Sequence, residues 1–180
     1  MAFDTITFER QGPVGVLTLD RPDKLNAINQ EMSAEIVDAL VTAEMDRKVV
    51  AIILCGNERA FSAGADLGRM GSKPGERFDL YRARFNVLPN RQLYRTLCFY
   101  TKPVIAAVEG YCLGGGLVLL NACDLAIAAE GASFTSAYTK IGLSPDGSST
   151  YFLPRSVGLK KAMELALLCD RFDAATAKDM

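Results

Sequence analysis

Residues 104–123 read Val-Ile-Ala-Ala-Val-Glu-Gly-Tyr-Cys-Leu-Gly-Gly-Gly-Leu-Val-Leu-Leu-Asn-Ala-Cys. The run 104–108 is short, unbroken and apolar, the pattern of a strand buried inside a sheet. Glycines crowd the stretch 110–116, and 117–123 continues as an apolar helix. Working upstream, 49–55 is a second continuous apolar run, expected to be a strand buried on both faces. Before it, Met32, Ile36, Leu40 and Ala43 fall on one face of a helix spanning 30–46. Two short strands, 5–9 and 14–19, open the chain around a Gly12-Pro13 turn. Between 55 and 104, a glycine-rich and basic loop over 68–75 precedes a helix over 78–100, interrupted before Pro89. Downstream come a strand at 125–129, helices at 149–157 and 160–168, and a last helix that Asp173 would cap. Strands alternating with helices predict an α/β domain. The final helix is cut at Met180 without a C-cap, so the chain is expected to be incomplete.

Composition removes several function classes. The chain has 180 residues, 49% hydrophobic and 23% charged, with a net charge of −1 and no histidine. Near-zero charge supplies no field to steer a nucleic acid. Without histidine, no Ser-His-Asp or Cys-His triad and no histidine-ligated zinc or haem can be built from this chain. Proton transfer must then use a carboxylate, lysine, tyrosine or cysteine. Cys55, Cys98, Cys112, Cys123 and Cys169 form no CxxC pair, and four of them lie in apolar stretches as small core residues. No signal peptide is recognised, no apolar run reaches membrane-spanning length, and a cytoplasmic protein is expected.

Three elements could carry chemistry. Ala63-Gly64-Ala65-Asp66 either connects a strand to a helix with Asp66 as a cap, or lets a ligand approach its backbone closely. Gly114-Gly115-Gly116 either permits tight helix packing or aims an N–H donor at a ligand oxygen. Two such loops could supply two donors to one developing oxyanion. Pro145-Asp146-Gly147 is either a type I turn or a base. In the second case, burial among Ile141, Leu143, Tyr151, Phe152 and Leu153 would raise the Asp146 pKa. Tyr111 and Tyr138 read as packing residues with satisfied hydroxyls. Arg21, Lys24 and Arg59 read as surface charge, and Asp124 as a group bonding local amides.

Taken in order, Arg21-Pro-Asp-Lys-Leu-Asn-Ala-Ile28, Phe61-Ser-Ala-Gly-Ala-Asp-Leu67, Lys102-Pro-Val-Ile-Ala-Ala-Val-Glu-Gly-Tyr111, Leu113-Gly-Gly-Gly116, Cys123-Asp-Leu-Ala-Ile-Ala-Ala129 and Ile141-Gly-Leu-Ser-Pro-Asp146 resemble the crotonase superfamily, the enoyl-CoA hydratase/isomerase family. The resemblance covers essentially the whole chain. It implies an α/β spiral of strand-strand-helix repeats over 1–156 and the start of a C-terminal helical region over 157–180, largely absent here. It also implies acyl-CoA thioester binding, with coenzyme A as part of the substrate and no separate cofactor or metal. A homotrimer or dimer of trimers is implied if the C-terminal region is present, with no nucleic acid or membrane partner.

By position, the resemblance places the oxyanion hole at the N–H groups of Ala63 and Gly115. The coenzyme A and acyl site falls at Lys24, Leu25, Ala27, Ala63, Gly64, Ala65, Asp66, Leu67, Gly114, Gly115 and Tyr138. Hydratases of the family carry two glutamates that hold water, and those positions here are Val118 and Tyr138. Asp146 resembles the acid/base aspartate of family isomerases. The expectation is therefore an enoyl-CoA isomerase that shifts a double bond through a thioester enolate. The alternatives are hydration or another thioester-enolate reaction, or a CoA-thioester-binding protein without activity.

Overall fold

The computed structural model describes residues 3–69 and 90–180. Strands β1 (Ile6–Gln11) and β2 (Val14–Leu19) form an antiparallel hairpin about Gly12, whose φ of +62° suits the two-residue turn. Helix α1 (Gln30–Met45) starts at Asn29, whose side chain accepts the Met32 N–H at 2.8 Å. After it come β3 (Ala51–Cys55) and β4 (Ala60–Ser62), and a helix α2 is described over 90–98. The next repeat is β5 (Val104–Val108), β6 (Tyr111–Leu113) and α3 (Gly115–Asn121). Strands β7 (Leu125–Ala128) and β8 (Ser133–Thr135) follow, then α4 (Ser149–Val157), α5 (Leu159–Leu168), β9 (Phe172–Asp173) and α6 (Ala174–Asp179).

From β3 to β8, successive strands separate into two sheets. One has the order β1-β2-β3-β5-β7, the other β4-β6-β8-β9. Pairing is parallel from β2 to β3 to β5 to β7 and from β4 to β6 to β8. The chain thus climbs as a spiral, each turn laying one strand on each sheet, and every turn delivers its loops to the same region as the turn before.

The core lies between the larger sheet and α1. Leu17, Leu19, Ile52, Leu54, Val104 and Ala106 face Met32, Ile36 and Leu40, all buried. Burial alternates along β3: Ile52 and Leu54 are enclosed, while Ala51, Ile53 and Cys55 are half-buried. The expectation of a strand covered on both faces is corrected accordingly. Asp124 bonds further afield than its neighbours: its carboxylate accepts the Val104 N–H at 2.8 Å, fastening the start of β5. Cys112 and Cys169 are buried, Cys55 and Cys123 half-buried, and Cys98 exposed. Asp173 does cap α6, accepting the Thr176 N–H at 2.8 Å. The 68–75 loop, from Met70 onward, and the helix expected from 78, as far as Pro89, lie outside the described residues. No helix among the described residues is long and apolar enough to cross a membrane.

Candidate active site

A buried polar scaffold joins the turn 21–28 to the end of β4. Asn26 is fully buried with φ +54°, a left-handed conformation that asparagine tolerates better than most residues. Its side-chain amide donates to the Ala60 carbonyl at 2.9 Å, and its Oδ1 accepts the Arg21 N–H at 2.9 Å. The Ser62 hydroxyl donates to the Asn26 carbonyl at 2.8 Å and accepts the Gly64 N–H at 3.1 Å. The Arg21 guanidinium donates to the Ala27 carbonyl and meets the Asp66 carboxylate at 2.9 Å. Far from being stray surface charge, Arg21 clamps the two segments together. Asp66 also accepts the Gly68 N–H at 3.2 Å, at the start of the short turn Leu67–Arg69.

Partial burial acts to raise the Asp66 pKa, but Arg21, the Gly68 N–H and the charge of Lys24 outweigh it and hold the carboxyl below its ordinary 3.8. The clamp is therefore fully present above that value and is lost as pH falls through the lower folded one. Arg21→Met is expected to cost about 1–2 kcal/mol near neutrality, between the worth of an exposed ion pair and that of a hydrogen bond to a charged group. Urea unfolding at a series of pH values checks this. The gap between wild type and variant should shrink in acid, and a gap that stays constant would refute the assignment.

This scaffold decides which main-chain amide is free. The Ala63 N–H donates to the Leu25 carbonyl at 2.8 Å, so it cannot serve a ligand, and the expectation for Ala63 is corrected. Two residues on, the polarity reverses. Ile28 bridges the loop by donating to the Gly64 carbonyl at 2.7 Å and accepting the Asp66 N–H at 3.0 Å. Both bonds belong to the neighbours of Ala65, so its own N–H points away from Ile28 and has no partner among the described residues. Ala65 is exposed, which leaves that amide open.

The second free amide is that of Gly115, the first residue of α3 and unpaired within its helix. Gly114 before it has φ +49° and ψ −114°, a conformation that requires glycine. Its own N–H is held by the Thr135 carbonyl at 2.9 Å. A Cβ on Gly116 would fall 2.5 Å from the Ser62 carbonyl oxygen, so only glycine lets α3 lie this close to β4.

The two loops converge. A Cβ built on Gly64 would lie 2.9 Å from the Gly115 nitrogen, and one on Gly115 would lie 3.3 Å from the Ala65 nitrogen. With standard bond lengths this puts the two nitrogens within about 5.8 Å of each other, close enough to share one acceptor oxygen.

Beyond Gly114 the chain turns through Ala137, at φ +61°, whose Cβ would stand 3.9 Å from one built on Gly114. That strained residue aims Tyr138 inward. Tyr138, Val118 of α3 and Tyr94 of α2 form a compact buried cluster. Their exposures are 7%, 1% and 8%, so water is largely excluded from the cluster. The Tyr138 hydroxyl is not satisfied as expected. It has no hydrogen-bond partner of ordinary geometry among the described residues. Burial, together with the negative charge of Asp146, pushes this phenol well above its usual range. Tyr94 is raised by the same two causes.

Asp146 itself is exposed, as are Ile141, Leu143 and Tyr151. The stretch 142–148 is a surface loop whose apolar members do not enclose the carboxylate, so the expected burial is corrected. What the structure provides is proximity. Gly147 lies against Tyr94, where an added Cβ would meet ring atom Cε2 at 2.9 Å and the hydroxyl at 3.3 Å. Lys24 is exposed and Leu25 and Ala27 half-buried, all on the turn adjoining Gly64, Ala65, Asp66 and Leu67. Tyr111 lies elsewhere on the surface, beneath the Arg171 guanidinium at 5.4 Å.

Asn26 and Tyr94 were not singled out from the sequence. A buried asparagine has no period to betray it. Tyr94 reaches the site through tertiary packing alone.

A family model described as enoyl-CoA hydratase/isomerase matches residues 9–180. A protein of Rhizobium meliloti (strain 1021) named "Probable enoyl-CoA hydratase" is 40% identical over 178 residues, covering 99% of this chain and 66% of that protein. The crystal structure of an enoyl-CoA hydratase from Polaromonas sp. JS666 superposes with a TM-score of 0.89 at 33% identity, covering 97% of this chain and 67% of that one. An enoyl-CoA hydratase structure from Bacillus anthracis gives a TM-score of 0.89 at 31% identity, covering 98% and 67%. The chain thus spans about two thirds of the length of the relatives it matches.

Proposed function

This chain belongs to the enoyl-CoA hydratase/isomerase family, and from that premise we propose that it shifts a double bond in an acyl-CoA thioester. The observation that carries the reading is the pair of unpaired amides, Ala65 and Gly115, offered by separate loops to one oxygen. The thioester carbonyl accepts both N–H groups. As a proton leaves the neighbouring carbon, negative charge gathers on that oxygen, and donors already in place stabilise it without rearrangement. Lys24, Leu25, Ala27 and the segment from Gly64 to Leu67 adjoin the hole and form the coenzyme A side of the cleft.

Asp146 takes the proton from one carbon and returns it to another of the same conjugated system. One carboxylate is enough for this cycle. Hydration also needs a group that takes a proton from water. Val118 cannot do so, and Tyr138 holds its proton more tightly than an ordinary phenol. The relatives' names favour hydration as a second reading. Incubation with β,γ-unsaturated hexenoyl-CoA in deuterated water separates the two. The expected product is the α,β-isomer, labelled with deuterium and free of hydroxyacyl-CoA. Accumulation of hydroxyacyl-CoA as the main product would establish hydration instead.

A further inference from the structure

The Tyr138 hydroxyl has no place in the chemistry described so far. It is buried, belongs to a residue packed with Val118 one helical turn from Gly115, and has no hydrogen-bond partner among the described residues. A buried hydroxyl left without a partner is costly, and a phenylalanine would fill the same space at no such cost. The neighbouring group able to accept from it belongs to the 145–148 loop. That loop rests against the companion ring: a Cβ on Gly147 would meet Tyr94 at 2.9 Å. Asp146, next to Gly147 in that loop, is near enough for its negative charge to add to burial in raising the Tyr138 phenol, although the two side chains are not at hydrogen-bond geometry in this structure.

We propose that Tyr138 is a positioning residue for proton transfer: its hydroxyl donates to the Asp146 carboxylate and fixes which oxygen of that carboxylate faces the substrate. The proposal rests on the reading of Asp146 as the group that carries the proton. An exposed carboxylate on a loop samples many orientations. A single buried donor removes that freedom by occupying one carboxylate oxygen and leaving the other for the substrate carbon. Tyr138 keeps its own proton throughout. The transferred proton leaves the α- or γ-carbon for the free carboxylate oxygen and is returned to the other carbon, so no group changes its net protonation over a cycle. Tyr94, behind the pair, holds the loop through its contact with Gly147.

Kinetics of the full protein with β,γ-unsaturated hexenoyl-CoA test the proposal. Tyr138→Phe is expected to lower kcat on the order of ten-fold to a hundred-fold, the worth of one hydrogen bond to a charged group, with KM essentially unchanged. In an Asp146→Asn background, the same substitution is expected to change the residual rate no further, because the proton-carrying carboxylate that Tyr138 positions is already gone. An unchanged kcat for Tyr138→Phe would mean that the ring only packs. An equal loss in both backgrounds would mean that Tyr138 acts on the substrate without Asp146. Either result overturns the proposal. If Tyr138→Phe does not fold, fluorotyrosine at position 138 keeps the ring and strengthens the donor. An altered kcat is then expected, and an unaltered one overturns the proposal. The Asp146→Asn protein separates the two levels of argument. Full exchange activity in that variant removes the proposed function itself, whereas lost activity there with an unaffected Tyr138→Phe removes only the role of Tyr138.

Discussion

Asp146→Asn is expected to reduce deuterium uptake at the substrate α-carbon on the order of 10²–10⁴-fold, the usual contribution of a positioned acid/base group. The substitution keeps the shape of the side chain and removes its ability to hold a proton. Little else should change. Asp146 is exposed, and the loop's bond to α4 runs from the Ser149 N–H to the Asp146 main-chain carbonyl at 2.9 Å, independent of the side chain. Stability should shift by no more than about 0.5 kcal/mol, as for an ordinary surface change. Acyl-CoA binding, measured by calorimetry, should persist because the amides and the coenzyme A side are untouched. Exchange at the wild-type rate would show that the proton is carried by another group.

Gly115→Ala attacks the other half of the site. The new methyl would stand 3.3 Å from the Ala65 nitrogen and 3.5 Å from the Gly64 Cα, in the gap proposed for the acceptor oxygen. The fold should tolerate it: alanine is favoured over glycine in a helix by up to about 1 kcal/mol, which offsets the tight contact. Turnover should not. Loss of one oxyanion donor costs on the order of 10²–10³-fold, and a plugged hole removes the use of both. Thermal unfolding close to that of wild type, with kcat/KM reduced at least that far, is the expected pair of results. Full activity with a methyl in place would show that the thioester oxygen binds elsewhere.

Much of the larger sheet and its helix could be read from residue patterns. Strands β3 and β5 are unbroken apolar runs of five residues, β2 is rich in valine and leucine, and α1 shows one clear apolar face. The smaller sheet could not be read this way. Its strands have two or three residues, too few to display a period of two, and they exist because β4, β6 and β8 pair across successive turns of the spiral.

The site was legible to the level of its loops but not of its atoms. Ala63 and Ala65 are the same residue on either side of one glycine, and nothing in their order says which amide is spent. The Leu25 carbonyl and the Ile28 bridge decide it, and both come from a segment far away in sequence. The exposure of Asp146 was likewise invisible, since apolar neighbours in sequence need not close over a loop. The clustering of Tyr94 with Tyr138 and Val118 depends on how α2 meets α3, which no local pattern encodes.

Both amides of the proposed oxyanion hole, those of Ala65 and Gly115, are main-chain groups, and neither can be deleted by a change of side chain short of proline. Mutation can crowd them, but it cannot turn them into another functional group. On the proposed reading the reaction, by contrast, is chosen by three replaceable side chains at positions 118, 138 and 146. If those amides hold the thioester as proposed, a lineage built on this scaffold can exchange one transformation for another while that hold stays constant, which lets new activities arise without first losing the substrate.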